Sequence, residues 1–298
     1  MTEIRHEFAA VNGIRLHYAH AGRGAPILFL HGFPEFWYGW KHQLADFGRT
    51  HHAFAPDLRG YNLSHKPEGV AQYKPRVLVE DVRQFARQIG GGDLVVVAHD
   101  WGGALAWGLA ISHPELIRTL VIVNSPHPFL FARDLAHDKA QQDASQYMNF
   151  FRSDKAERVL SENNHARLAA MMDTWGGAGG SAGAGNEDRD AYLAAWSQPG
   201  ALTGGLNWYR ASPLYPPIGD DPGAGALALR HEDFIVNVPT LVIWGMRDRA
   251  LLPHLLEGLD ELVPNLRIER LPDATHWVVH EQPERVNRLI REFIGSNS

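Results

Sequence analysis

The chain has 298 residues, 45% of them hydrophobic, and a formal net charge of −6, so its length suits one large domain or about two. It contains no cysteine, which excludes a disulfide framework, and no basic block that would favour nucleic acid as a partner. The first ten residues lack the apolar region of a signal peptide, and no apolar run approaches the roughly 20 residues of a membrane helix. We therefore expect a cytoplasmic protein without a membrane anchor.

The first part of the chain alternates between strand and helix patterns. Residues 4–19 predict two short strands around the hairpin turn pair Asn12-Gly13. Four further strands are predicted, at residues 25–30, 53–55, 94–98 and 120–123. Helical spacing of apolar residues occurs at 76–89 and again at 104–111. This alternation predicts an α/β fold whose mostly parallel central sheet carries helices on both faces.

The alternation stops in the middle of the chain and resumes near residue 239. Helices are predicted at 134–151, 155–173 and 188–197, and a Gly-rich tract that cannot form a regular core occupies 176–185. The sequence therefore predicts an inserted helical cap (lid) at residues 129–231. The α/β core would consist of residues 1–128 and 232–298.

The most informative motif is found at residues 95–103, where a β-branched run ends at Asp100 and a helix pattern follows. The nucleophile elbow has this strand–turn–helix arrangement but usually carries serine at its apex. A carboxylate at the apex would attack an sp³ carbon and itself become an ester. Epoxides and alkyl halides are the substrates that this chemistry indicates. A loop aspartate that caps the next helix is the alternative explanation of the same pattern.

Two more polar residues follow apolar runs later in the chain. Asp248 comes after the run at 241–245, and His276 lies near the C-terminus. The order Asp100, Asp248, His276 matches the nucleophile–acid–histidine order of α/β-hydrolases. The pair His276 and His280 could suggest a metal site, but no third ligand accompanies it, so no metal is expected. Asn124 closes the strand at 120–123, but an amide cannot serve as the acid.

Seven features together resemble one family over nearly the whole chain. They are HGFPE at 31–35, DLRGYNLS at 57–64, HDWGG at 99–103, LNWYR at 206–210, and the single residues Tyr147, Asp248 and His276. The chain resembles the epoxide hydrolases of the α/β-hydrolase fold, which are relatives of haloalkane and fluoroacetate dehalogenases. The resemblance implies an α/β-hydrolase core with a cap, no cofactor, and an epoxide and water as substrates of a monomer or homodimer.

The resemblance also implies roles for individual residues. Asp100 would form a hydroxyalkyl ester, and water activated by His276, itself oriented by Asp248, would hydrolyse it. Tyr147 and Tyr209 would donate protons to the epoxide oxygen, which suits a phenol that stays protonated at pH 7. The oxyanion hole would consist of the backbone N–H groups of Phe33 and Trp101. The residues expected to line the substrate pocket are His31, Pro34, Phe36, Trp37 and Trp208.

Three other functions use the same features. A haloalkane dehalogenase would keep the three polar residues but often has Asn as a halide donor where this chain has Phe33. A fluoroacetate (haloacid) dehalogenase would need arginines beside the nucleophile, where this chain has Trp101 and Ala104. A non-catalytic ligand-binding protein on this fold need not keep a complete catalytic set, whereas every expected position is filled here.

Overall fold

The computed structural model describes residues 3–175 and 186–296. The predicted Gly-rich tract at 176–185 lies outside the described residues. None of the helices in the described part of the chain is both long and apolar enough to cross a membrane.

A single mixed sheet forms the centre of the molecule. Its strands are β1 (Ile4–Val11), β2 (Ile14–Gly22), β3 (Pro26–Leu30), β4 (His52–Pro56), β5 (Leu94–His99), β6 (Ile117–Val123), β7 (Thr240–Gly245) and β8 (Leu266–Leu271). Their spatial order is β1-β2-β4-β3-β5-β6-β7-β8. The pairs β1–β2 and β2–β4 are antiparallel and the other pairs are parallel. The residues of β5 and β7 are buried throughout, as expected for strands covered on both faces.

Helices cover both faces of this sheet. They are α1 (Lys41–Phe47), α2 (Pro75–Ile89), α3 (Trp101–Ser112), α4 (Pro128–His137), α5 (Lys139–Ala144), α6 (Gln146–Arg152), α7 (Ala156–Trp175), α8 (Asn186–Trp196), α9 (Ala201–Ala211), α10 (Leu259–Leu262), α11 (Val278–Glu281) and α12 (Pro283–Ser296). One apolar cluster packs α1 and α12 against one face, and the other packs α2 and α3 against the opposite face. The six helices α4 to α9 lie between β6 and β7 in the chain. The predicted α/β fold with a mostly parallel sheet is confirmed.

The helices between β6 and β7 differ in detail from those predicted. The single helix predicted at 134–151 is wrong, because the chain forms α4, α5 and α6 in this region. Asp138 ends the first of these and caps the second, since its carboxylate accepts a hydrogen bond from the backbone N–H of Gln141 at 2.6 Å. Ser145 then separates α5 from α6. The helix α7 is interrupted at residues 162–165, and α9 had not been predicted.

Candidate active site

Asp100 lies at the sharp turn between β5 and α3. Its backbone has φ 50° and ψ −122°, a conformation that is strained for a residue with a side chain. The turn places the carboxylate at the carboxyl end of β5, with Oδ1 accepting a hydrogen bond of 2.8 Å from the backbone N–H of Phe33. This is the strand–turn–helix geometry that the sequence predicts for an elbow.

The turn requires small residues around it. A Cβ atom added at Gly32 would lie 2.2 Å from Oδ1 of Asp100, and one at Gly102 would lie 2.3 Å from the carbonyl oxygen of Leu30. A Cβ atom at Gly103 would lie 2.3 Å from Cβ of Ser125. Glycine at these positions lets the loop after β3 and the start of α3 approach each other closely.

Asp248 and His276 come from the ends of two neighbouring strands and meet in front of Asp100. Nδ1 of His276 lies 2.8 Å from Oδ2 of Asp248, and both side chains are almost completely buried. On the other side of the ring, Nε2 of His276 lies 3.7 Å from Oδ2 of Asp100. The two carboxylates therefore lie on opposite sides of one imidazole, in the order that a nucleophile–histidine–acid triad requires.

The charges of this group favour a protonated imidazole. Burial lowers the pKa of His276, but the carboxylates of Asp248, Asp100 and Glu35 outweigh burial and raise it to about 9. Burial raises the pKa of Asp248, but the imidazole of His276 and the hydrogen bonds from the Leu251 backbone and the Asn124 amide hold it below its ordinary value. The two groups therefore form an ion pair before any substrate binds.

Tyr147 on α6 and Tyr209 on α9 lie near Asp100, although both come from the helices between β6 and β7. Their ring centroids are 6.3 Å apart at an interplanar angle of 80°. The ring of Tyr209 also packs edge-on against the rings of Trp101 and Phe33, at 5.1 and 5.3 Å. Burial, together with the negative charge of Asp100, raises the pKa of both phenols well above its usual value. Both remain proton donors throughout the neutral range.

A cavity connects Asp100 to the two phenols. Asp100, Tyr147 and Tyr209 line it together with mostly apolar side chains. The other lining residues are Trp101, Ala104, Ser125, Pro126, Pro128, Phe131, Met148, Leu214 and Leu251. Such a cavity suits a small, largely apolar molecule that presents one polar atom to the phenols.

None of the five residues predicted to line the pocket is among the described residues that line this cavity. Pro34 and Phe36 line a second cavity together with Phe33. The ring of Trp208 packs edge-on against Trp101 and donates a hydrogen bond of 2.9 Å to the carbonyl oxygen of Arg59.

The remaining two predicted pocket residues make other contacts. Nε2 of His31 accepts a hydrogen bond of 3.0 Å from the backbone N–H of Leu58, so its ring fastens the loop after β4. Trp37 packs edge-on against the ring of His6 at 4.8 Å.

Sequence reasoning did not assign Asn124 a role in the site. Its side-chain amide donates a hydrogen bond of 2.8 Å to Oδ2 of Asp248, and its amide oxygen accepts one of 2.8 Å from the backbone N–H of Gly245. Asn124 thus connects the ends of β6 and β7 and orients the carboxylate that faces His276. Its position directly after a buried strand, which is also that of Asp100, was the signal that could have revealed it.

Glu35 is a second group that the sequence did not single out. It is buried, and its Oε1 accepts hydrogen bonds from Nε2 of His280 at 2.6 Å and from the hydroxyl of Tyr192 at 2.7 Å. Its Oε2 lies 3.3 Å from Nδ1 of His99, and Nε2 of His99 donates to the backbone carbonyl of His276 at 2.9 Å. Burial raises the pKa of Glu35, but the two imidazoles hold it well below its usual value. A charged carboxylate is therefore connected to the backbone of His276 through the ring of His99.

Comparison with known proteins places this fold and site in a family. Residues 25–283 match the α/β-hydrolase fold family. The chain is 40% identical over 300 residues to the α/β-hydrolase superfamily protein YfhM of Bacillus subtilis (strain 168), covering 99% of each chain. It is 35% identical over 297 residues to epoxide hydrolase 2 of Caenorhabditis elegans, covering 98% of this chain and 81% of that protein. The crystal structure of Bacillus megaterium epoxide hydrolase in complex with an inhibitor matches with a TM-score of 0.89 and 37% identity, over 97% of this chain and 100% of that one. This chain therefore belongs to the epoxide hydrolases of the α/β-hydrolase superfamily.

Proposed function

We propose that this protein converts epoxides to vicinal diols through a covalent ester on Asp100. The observation that carries the proposal is the shared cavity, in which one carboxylate faces two protonated phenols, Tyr147 and Tyr209. Opening an epoxide needs a nucleophile at carbon and a proton donor at oxygen, and this cavity offers both. The relatives and structures named epoxide hydrolases support the same conclusion.

In the first step, Oδ2 of Asp100 attacks an epoxide carbon and the carbon–oxygen bond of the ring breaks. Oδ1 is already held by the backbone N–H of Phe33, which leaves Oδ2 available for the attack. The oxygen of the opened ring takes a proton from Tyr147 or Tyr209, and the phenolate that remains regains a proton from solvent. The product is a hydroxyalkyl ester of the Asp100 carboxylate.

In the second step, His276 loses its proton to solvent once Asp100 has become a neutral ester. Water then attacks the carbonyl carbon of the ester while His276 accepts a proton from it. The tetrahedral intermediate carries its negative charge on Oδ1, next to the backbone N–H of Phe33. The N–H of Trp101, at the N-terminus of α3, is the second donor. Asp248 keeps the ring of His276 oriented and stabilises the positive charge that it gains. Collapse of the intermediate releases the diol and restores Asp100.

We also propose that residues 129–231 form a cap over a core of residues 1–128 and 232–298. The supporting observation is that the two phenols come from α6 and α9, whereas Asp100, Asp248 and His276 follow strands of the sheet. A substrate bound between them would be enclosed by both parts. The cap would then supply the acid and the core the nucleophile and base.

A haloalkane dehalogenase is the alternative that uses the same three polar residues. A departing halide needs no proton but needs N–H donors that stabilise its charge. The indole of Trp101 could supply one such donor, whereas the side chain of Phe33 supplies none. The two phenols have no necessary role in that reaction, so the cavity favours the epoxide.

The decisive experiment offers the purified protein styrene oxide and measures diol by chromatography. Asp100→Asn is the matched control, because it preserves the size of the side chain and removes the nucleophile. Diol from the wild type and none from the variant is the expected result. A panel of bromoalkanes is tested for halide release in parallel, and halide without diol would establish the dehalogenase instead.

A single turnover in oxygen-18 water tests the covalent step separately. Because the ester is cleaved at its carbonyl carbon, the new hydroxyl of the first diol carries oxygen-16 from Asp100, and the solvent label enters the carboxylate. Solvent oxygen in the first diol would show direct attack by water and refute the covalent mechanism.

A further inference from the structure

The side-chain amide of Gln141 joins the helix that carries Tyr147 to the loop that follows Asp248. Gln141 lies on α5 and is completely buried. Its Nε2 donates hydrogen bonds of 2.8 Å to Oγ of Ser145 and 2.8 Å to the carbonyl oxygen of Ala250. Its Oε1 accepts one of 3.0 Å from the backbone N–H of Leu252. Both N–H groups and the oxygen of this amide are therefore used.

The loop after Asp248 is held from two sides by side chains. On one side, Oδ1 of Asp248 accepts hydrogen bonds of 2.9 Å from the backbone N–H groups of Ala250 and Leu251. On the other side, Gln141 binds the carbonyl of Ala250 and the N–H of Leu252. The loop is buried at Ala250 and Leu251, so a backbone shift at these two residues would leave polar groups unsatisfied.

The position of this loop determines the orientation of the Asp248 carboxylate relative to the ring of His276. The two oxygens of Asp248 have different partners. Oδ1 accepts hydrogen bonds from the loop, and Oδ2 faces Nδ1 of His276 and the side-chain amide of Asn124. A shift of the loop would pull Oδ1 with it and rotate the carboxylate away from the ring. Leu251, which also lines the substrate cavity, would move in the same direction.

The other contact of Gln141 acts on α6. Ser145 is buried and immediately precedes this helix, and its carbonyl oxygen accepts a hydrogen bond of 2.9 Å from the N–H of Met148. Ser145 therefore sets where α6 begins. Tyr147 is the second residue of α6, so the hydroxyl of Ser145 and the amide of Gln141 together fix the start of the segment that carries the phenol.

We infer that Gln141 is a positioning residue that couples the two half-reactions, by fixing Tyr147 for ring opening and Asp248 for ester hydrolysis through one buried amide. The inference rests on the proposed function for the roles of these two residues. Gln141 contacts neither the substrate cavity nor the reacting atoms and acts through Ser145 and the loop at 250–252.

Three variants separate this role from a merely structural one. Gln141→Leu keeps nearly the same volume and removes all three hydrogen bonds. Ser145→Ala removes only the contact toward α6. Gln43→Leu is the matched control, because Gln43 is also a fully buried amide, but it lies on α1 and bonds to Asn287 on α12 at 3.0 Å. Thermal unfolding measures how much stability each variant loses.

The first measurement needs no turnover. In protein with nitrogen-15 histidine, the ring N–H resonance of His276, assigned with His276→Gln, reports its hydrogen bond to Asp248. We expect Gln141→Leu to move this resonance upfield and to shift the titration midpoint of His276 to lower pH. Gln43→Leu and Ser145→Ala should keep the wild-type signal. An unchanged resonance and midpoint in Gln141→Leu would overturn the coupling to Asp248.

The second measurement is single-turnover kinetics with styrene oxide. We expect Gln141→Leu to slow ester formation and ester hydrolysis on the order of 10- to 100-fold each, because small displacements of reacting groups have effects of this size. Ser145→Ala should slow ester formation alone. Equal rate constants for Gln141→Leu, Gln43→Leu and the wild type would reduce Gln141 to a packing residue.

If Gln141→Leu does not fold, Gln141→Glu replaces it in the kinetic measurement. Its carboxylate can still accept from Leu252 but cannot donate to Ala250 or Ser145, whereas its protonated form regains one donor. The rate relative to the wild type should therefore recover as pH falls, and a ratio independent of pH would contradict the inference. If the wild type forms no diol at all, the proposed function fails, and the His276 resonance still decides whether Gln141 positions Asp248.

Discussion

Removing the charge of Asp100 should lower the pKa of His276, and the structure sets the size of the effect. Oδ2 of Asp100 lies 3.7 Å from Nε2 of His276, whose pKa is raised to about 9. At this distance two unit charges interact by roughly 1 kcal/mol at the dielectric constant of water and by about 4 kcal/mol at an effective value of 20. One pKa unit corresponds to about 1.4 kcal/mol. We therefore expect Asp100→Asn to lower the pKa of His276 by about 1 to 3 units.

The assay is a pH titration of the His276 ring followed by nitrogen-15 NMR. Asp248→Asn should lower the midpoint further than Asp100→Asn, because Asp248 is hydrogen-bonded to the ring at 2.8 Å and contributes the larger favourable interaction. Asp273→Asn is the control, since this carboxylate is close in sequence but its side chain is 77% exposed. Solvent screening should make its effect on His276 small.

A His276 midpoint in Asp100→Asn that stays at the wild-type pH or rises would refute this prediction. Either result would mean that Asp100 carries no charge in the free protein or that water screens the pair completely. A drop no larger than that of Asp273→Asn would have the same meaning. A crystal structure of the variant would then show whether the side chain had moved away from the ring.

Three further predictions concern the two phenols, Asp248 and His276. Tyr147→Phe combined with Tyr209→Phe should slow ester formation by at least about 10²-fold in stopped-flow experiments, whereas either single substitution should slow it only partly. Asn124→Ala removes a 2.8 Å hydrogen bond from Asp248 and should slow ester hydrolysis, so that intact-protein mass spectrometry finds more alkylated enzyme at steady state. The raised pKa of His276 stabilises the folded protein fully below pH 6.5, and this contribution should be lost as pH rises toward about 9. Urea titrations should show that part of the pH dependence in the wild type and not in His276→Asn.

The convergence of Asp100 and Asp248 could be predicted because it follows from local pattern and sheet geometry, whereas His276 was assigned from its order in the chain and from the family resemblance. Asp100 and Asp248 each follow a buried parallel strand, and the carboxyl ends of such strands meet at one edge of the sheet. The elbow at Asp100 is encoded within a few residues, by the strand before it and the glycines after it. A short motif and one topological rule were enough to bring these side chains together.

The helices between β6 and β7 were less predictable, because their boundaries depend on tertiary contacts. The helix α9 contains Gly204 and Gly205, which disfavour a helix by about 1 kcal/mol each. A Cβ atom at Gly204 would lie 2.4 Å from the carbonyl oxygen of Gly60, so close packing against a distant loop requires the glycine that local propensity disfavours. The contact between Gln141 and Ala250 likewise joins residues far apart in the chain and leaves no periodic signal.

The charges around His276 suggest how the first half-reaction prepares the second. In the free protein the carboxylates of Asp248 and Asp100 hold the imidazole protonated near neutral pH, in which state it cannot accept a proton from water. In the proposed mechanism, ester formation would neutralise Asp100 and so remove one of the interactions that raise the pKa of His276. The ring can then lose its proton and act as the base, while Asp248 still fixes its orientation. In the proposed mechanism, the same contact of 3.7 Å between Nε2 and Oδ2 would keep His276 from acting as a base until Asp100 has reacted.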